Sequence, residues 1–189
     1  MNVLVTGIGG PTPLGVVKSL KIDFPKINII GVDANNFAPG HFDEIYDKTY
    51  VVPKANESNY WDEIENIIYK NNINVAFVIP ETEILEWSKR NIEKKIPCKV
   101  LLPDYEVASF LFDKLKVSNF LEPINLSPLT IKINKSILKD EKQLEILGFP
   151  FWVRINKTAG ALGAEKIKNT NELSDWLKMN NTSEFIAST

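Results

Sequence analysis

The sequence predicts an α/β protein: a doubly wound, mostly parallel open sheet, Rossmann-like, followed by a small α+β lobe. Three observations carry this. Before residue 103 the short apolar runs are continuous rather than alternating, which implies strands buried on both faces. Stretches of helical periodicity fall between them, as parallel crossovers require. Beyond Pro128 short strands and helices mix without that regular cadence.

The elements follow in order. Asn2 to Thr6 reads as a strand, and Pro13 to Ile22 as a helix with Pro13 in its first turn. Ile27 to Val32 and Thr49 to Val52 are the next strands. Ser58 and Asn59 are placed to cap a helix carrying Trp61, Ile64, Ile67 and Ile68 on one face. Val75 to Ile79 is a strand. Thr82 opens a helix with Ile84, Leu85 and Ile92 as its apolar residues, and Val100 to Leu102 completes the sheet. Tyr105 to Leu121 reads as one helix, and Glu122 to Pro128 as a connector with two prolines. Then come strands at Leu129–Ile133, Phe151–Ile155, Glu165–Ile167 and Phe185–Ala187, with helices at Glu141–Leu147 and Asn171–Met179. Ending on a strand, this second part is expected to lack a covering layer and to be marginal in its burial. Phe151 and Trp152 are both expected in the core.

Composition narrows the function. The chain has 189 residues and a formal net charge of −2, with Lys and Arg scattered among acids. Neither nucleic acid nor a membrane is therefore an expected partner. Cys98 is the sole cysteine, within an apolar run, and reads as a small buried hydrophobe. His41 is the sole histidine, so a His/Cys metal cluster is ruled out and no metal ligands are assigned. No apolar run is long enough to span a bilayer and the first residues enter a strand directly, so a cytoplasmic protein is expected.

The turn after the first strand, Gly7-Ile8-Gly9-Gly10-Pro11-Thr12-Pro13-Leu14-Gly15, has the context of a dinucleotide fingerprint, and Asp33 ends the second strand where a ribose-binding acid would stand. Thr12 replaces the third glycine, however, and two prolines remove N–H donors. Gly7, Gly9 and Gly10 are candidates either for a sharp turn or for holding a substrate. In Pro80-Glu81-Thr82-Glu83, at the carboxyl end of a strand, Glu81 is a candidate substrate contact, with helix capping as the alternative role of the cluster.

Two later stretches add to this: Leu111-Phe112-Asp113-Lys114-Leu115 running to Ser127-Pro128-Leu129-Thr130, and Gly148-Phe149-Pro150-Phe151-Trp152-Val153-Arg154 running to Thr158-Ala159-Gly160-Ala161-Leu162-Gly163-Ala164. In order and spacing they resemble the ATP-grasp family. With Thr6 to Pro11 and Asp33 to Pro53, the chain is similar to the pre-ATP-grasp domain and first ATP-grasp lobe of proteins like the carbamoyl phosphate synthase large subunit. The resemblance implies a pre-ATP-grasp domain over 1–112, a linker helix and connector over 113–128, and the first lobe over 129–189. It implies ATP as the nucleotide, with Lys114 and Arg154 reaching it and Thr158, Gly160 and Gly163 in a flap over its phosphates. Small residues suit such a flap, and an arginine fork suits phosphate oxygens.

The resemblance further implies an ATP-dependent ligase that activates a small carboxylate or bicarbonate as an acyl phosphate for attack by an amine or ammonia. In the family the magnesium-binding carboxylates lie in a second lobe beyond Thr189. The expectation is thus that this chain alone is incomplete and inactive, and needs a C-terminal segment or partner chain. The sequence is also compatible with a homo-oligomer. Departures from the pattern are a flap with two glycines and the connector Glu122-Pro123-Ile124-Asn125. The alternatives are a non-catalytic nucleotide- or metabolite-binding module, and an NAD(P)-binding epimerase-like protein.

Overall fold

The computed structural model describes residues 1–158, 163–180 and 184–189. Strands β1 (Asn2–Thr6), β2 (Asn28–Asp33), β3 (Lys48–Val51), β4 (Val75–Phe77) and β5 (Lys99–Val100) form one sheet in the order β3-β2-β1-β4-β5. Every pairing is parallel, with Val3 opposite both Ile29 and Val75. The central strand shows why its run Val3-Leu4-Val5 is apolar without alternation. Val3 and Val5 pack into a cluster with Val17 of helix α1 (Pro11–Asp23), and Leu4 packs into another with Ile64 and Trp87. Those two residues belong to helices α2 (Tyr60–Lys70) and α3 (Glu81–Ile92). Helices thus cover both faces, as continuous rather than alternating strands require.

Local details depart from the sequence reading where tertiary context decides. Asn59 occupies the N-cap of α2 but makes no side-chain cap; Asp62 and Glu63 in the first turn complement the helix dipole instead. Helix α3 starts at Glu81 behind Pro80, and Ile92 at its end is exposed rather than core. Cys98 packs against the α2/α3 core, and burial pushes its thiol up to about 11, as expected of an inert hydrophobe.

The stretch Tyr105–Leu121 is two helices, α4 (Tyr105–Phe112) and α5 (Lys114–Leu121). The break is made by Asp113, whose carboxylate accepts a hydrogen bond from the Lys116 N–H and so caps α5. The chain divides into two compact units, Met1–Ala108 and Ser109–Thr189, with the division inside α4.

In the second unit β6 (Thr130–Ile133), β7 (Phe151–Ile155), β8 (Glu165–Ile167) and β9 (Phe185–Ser188) form an antiparallel sheet in the order β6-β9-β7-β8. The expected absence of a covering layer over this sheet is not met: β9, the last strand, is an interior one, and helices pack on one face. Helix α7 (Thr170–Met179) lays Leu173, Trp176 and Leu177 into one cluster with Phe185, Ala187, Phe151 and Val153. Helix α6 (Glu141–Leu147) closes its edge with Leu147. By alternation, Thr130, Trp152, Arg154, Ile186 and Ser188 lie on the opposite face. Trp152 is accordingly 48% exposed, not part of the core. Among the described residues no helix is long and apolar enough to cross a membrane.

Candidate functional site

On that opposite face of the second sheet, Arg154 sits near the end of β7. Its Nε is buried without a hydrogen-bond partner, and its Nη2 reaches only the Ser188 hydroxyl, at 3.4 Å. Among the described residues no carboxylate lies within ion-pair distance of it. Lys114 and Arg154 line one cleft of about 260 Å³, together with Ser118, Ser127, Thr130 and Ile186. A second hollow, beside Trp152 and Ala164, also opens on Arg154. The two cations singled out in the sequence therefore meet at one place.

Lys114 has a job that its sequence does not reveal. Its ammonium donates to the main-chain carbonyls of Asn156, at 3.0 Å, and Thr158, just beyond β7. Asn156, which the sequence did not single out, is the other half of this clamp. Its side chain donates to Asp113 at 2.9 Å and accepts from the Leu115 N–H at 2.9 Å. Burial pushes the Asp113 carboxyl up, but hydrogen bonds from Asn156 and the Lys116 N–H, with the Lys157 charge nearby, outweigh this and hold it below its ordinary value. The Thr158 hydroxyl turns back to the Ile155 carbonyl. The start of α5 is thus locked to the root of the loop that follows β7. Gly163, at the far end of that loop, has a φ of +68°, a conformation that favours glycine. Gly160 lies outside the described residues.

In the first unit the glycine turn is closed on itself. The N–H groups of Gly7 and Ile8 donate to the Val32 carbonyl, and that of Gly10 to the Gly7 carbonyl. The Gly9 N–H donates to the Asp33 carboxylate at 2.8 Å, and the other oxygen of Asp33 takes the Asn35 N–H. A dinucleotide needs those N–H groups for its pyrophosphate and the acid for its ribose, whereas here they satisfy each other. Glycine is required at position 7 for geometry: φ is +69°, and a Cβ would stand 2.5 Å from the Pro80 ring.

Beside this turn, at the carboxyl ends of the strands, is a crevice of about 540 Å³ lined by Gly7, Asp33, Lys54, Pro80, Glu83 and Glu86 among others. Glu81, the acid preferred from the sequence, is exposed at the first position of α3 and is not among the lining residues. Glu83 is, and it is only 6% exposed, with Oε2 buried and unpartnered. Its burial follows from α3 packing against Tyr60 of α2, a long-range contact that the local sequence cannot announce.

The family described as PylC-like, N-terminal domain, matches residues 3–101. No curated protein matches the chain by sequence. Among solved structures, the N5-carboxyaminoimidazole synthetase of Staphylococcus aureus, complexed with ADP, aligns with 100% of this chain and 47% of its own, at 19% identity and a TM-score of 0.67. The biotin carboxylase domain of the Hydrogenobacter thermophilus 2-oxoglutarate carboxylase, in complex with MgADP, ADP and bicarbonate, covers 99% of this chain and 43% of its own at 14% identity, with a TM-score of 0.63. The D-alanine–D-alanine ligase of Bacillus anthracis covers 100% and 57%, at 16% identity and a TM-score of 0.60. The chain thus spans about half the length of these proteins. At such identities the likeness is one of fold, and the fold is that of the ATP-grasp ligases whose motifs the sequence resembles.

Proposed function

The chain belongs to the PylC-like N-terminal domain family, and from that premise we propose that it is the nucleotide-holding front portion of an ATP-dependent ligase. The observation that carries this reading is Arg154, a guanidinium with its Nε buried and unpartnered in a cleft that Lys114 also lines. A cation held so is costly unless an anion completes it, and a polyphosphate offers its fork two oxygens.

In this reading ATP supplies the phosphoryl group that turns a carboxylate or bicarbonate into an acyl phosphate, which an amine or ammonia then attacks. Arg154 neutralises phosphate charge and orients it. Lys114, Asp113 and Asn156 hold the root of the loop that follows β7, the place of the flap that the resemblance implies. ATP use also suits a cytoplasmic setting. Among the described residues no group of three or more His, Cys, Asp or Glu is placed to hold a metal ion.

Thermal shift with millimolar nucleotide tests the reading. ATP, or an analogue that cannot be hydrolysed, should raise the melting temperature, because any ligand that binds only the folded state stabilises it. NAD and NADP should not. Equal stabilisation by NAD would overturn the proposal and return attention to the glycine turn.

A further inference from the structure

We propose that Asn156 is a positioning residue for the nucleotide: without touching it, Asn156 holds the Lys114 ammonium in a fixed relation to the Arg154 guanidinium and so sets the affinity for the phosphates. The inference rests on the ligase reading, to which it adds a residue that the motif resemblance did not single out.

Asn156 grips residue 114 from three sides. Its side-chain amide donates to the Asp113 carboxylate at 2.9 Å, just before Lys114 in the chain. Its side-chain oxygen accepts the Leu115 N–H at 2.9 Å, just after it. Its main-chain carbonyl accepts the Lys114 ammonium at 3.0 Å. Both the backbone and the charged head of Lys114 are therefore held by one residue. The carboxylate of Asp113 still caps the Lys116 N–H, so the grip leaves the start of α5 intact.

The other end of this connection is the sheet. Asn156 follows β7 directly, and its own N–H donates to the Glu184 carbonyl at 2.8 Å, beside the Ile155–Phe185 pair of β7 and β9. Arg154 lies two residues back on β7. Strand residues advance about 3.3 Å each, so Arg154 and Asn156 stand roughly 7 Å apart on a stiff segment. Asn156 is 5% exposed and is not among the residues that line the cleft, whereas Lys114 and Arg154 both are. It therefore acts on a ligand there through the cations and not by contact.

Preorganisation is what such a connection supplies. Lysine is among the side chains that lose most freedom when immobilised. Held before the ligand arrives, its charge meets the phosphates without that loss at the binding step. Asparagine suits the place because it offers a donor to Asp113 and an acceptor to Leu115 at once. Aspartate would set one carboxylate against another. Alanine would offer neither group.

The test is calorimetric titration with ATP, with a thermal melt of each protein in the absence of nucleotide. Asn156→Ala and Asn156→Asp should each weaken ATP by about tenfold, close to the worth of one hydrogen bond. Asp113→Asn combined with Asn156→Asp puts a donor opposite an acceptor again, and should bring the affinity back to within about threefold of the natural protein. In a Lys114→Ala background, Asn156→Ala should weaken ATP by no more than about a further twofold, because Asn156 acts through Lys114. Natural ATP affinity with a lowered melting temperature in the Asn156 variants would make Asn156 a residue of the fold alone and overturn the proposal. So would a loss that adds in full to that of Lys114→Ala, or an exchanged pair that binds no better than the single variants. Should one single variant fail to fold, the other carries the comparison. If the natural protein does not bind ATP, the ligase reading falls and this inference with it. ATP binding by the natural protein with unaltered affinity in the Asn156 variants removes this inference alone.

Discussion

Replacing Glu83 by Gln should abolish a pH-dependent loss of stability of roughly 3 kcal/mol, read as the difference between the two proteins in urea unfolding from pH 4.5 to pH 8. The carboxyl moves from its ordinary 4.5 to about 7 on folding, chiefly by desolvation. Its folded value is raised, so the folded state binds the proton more tightly. The associated stability is complete below the unfolded value and is lost as pH climbs through the folded one. The window is therefore about 4.5 to 7, and the slope follows from one pKa unit being worth about 1.4 kcal/mol. Gln cannot ionise, so the variant should gain on the natural protein steadily across that window. Parallel stability curves would show that Glu83 is solvated in the folded state. A loss of this size is a large fraction of the roughly 5–15 kcal/mol that hold most domains folded.

Arg154→Leu should weaken ATP binding by about 1.5–3 kcal/mol, the range of a lost charge-assisted hydrogen bond. Leucine keeps much of the apolar stem that β7 needs and removes only the head. Because the head has no carboxylate partner among the described residues, its removal strands no buried anion there, and the melting temperature without nucleotide should hold or rise. Lys114→Ala should act differently: it frees the carbonyls of Asn156 and Thr158, so it should lower both ATP affinity and stability. Calorimetric titration of both variants checks this. Full ATP affinity in Arg154→Leu would mean that the guanidinium serves the fold and not a nucleotide.

The sequence carried the parallel sheet well because strands buried on both faces have no polar alternation to blur them, as Val3, Leu4 and Val5 illustrate. The pairing of Lys114 with Arg154 was accessible only through motif resemblance, since 40 positions separate them and the cleft they share is made by tertiary packing. Other features were hidden for physical reasons. Helical periodicity runs unbroken through Asp113, and the break there is made by the Asp113 cap, which also takes a hydrogen bond from Asn156, distant in the chain. Trp152 looks like core by hydrophobicity, but strand alternation gives it the face of Arg154. Glu83 lies two residues from Glu81 in a cluster that any helix start could use. Only the packing of α3 on Tyr60 makes one acid buried and leaves the other in water.

The position of β9 bears on the order in which the protein acquires its structure as it leaves the ribosome. Every strand of the parallel sheet has been made by residue 100, so that unit can close while later residues are still being added. The second unit cannot. Its β7–β8 ribbon joins neighbours, but β6 has no partner until Phe185–Ser188 arrives, more than fifty residues later, to fill the gap between β6 and β7. Until then Ile131 and Ile133 sit on an open strand edge, the kind that recruits foreign chains. Nascent chains arrested after Asn180 should thus be cut by protease within 130–155 and resist within 2–100. Equal resistance of both stretches would show that β6 finds a provisional partner of its own.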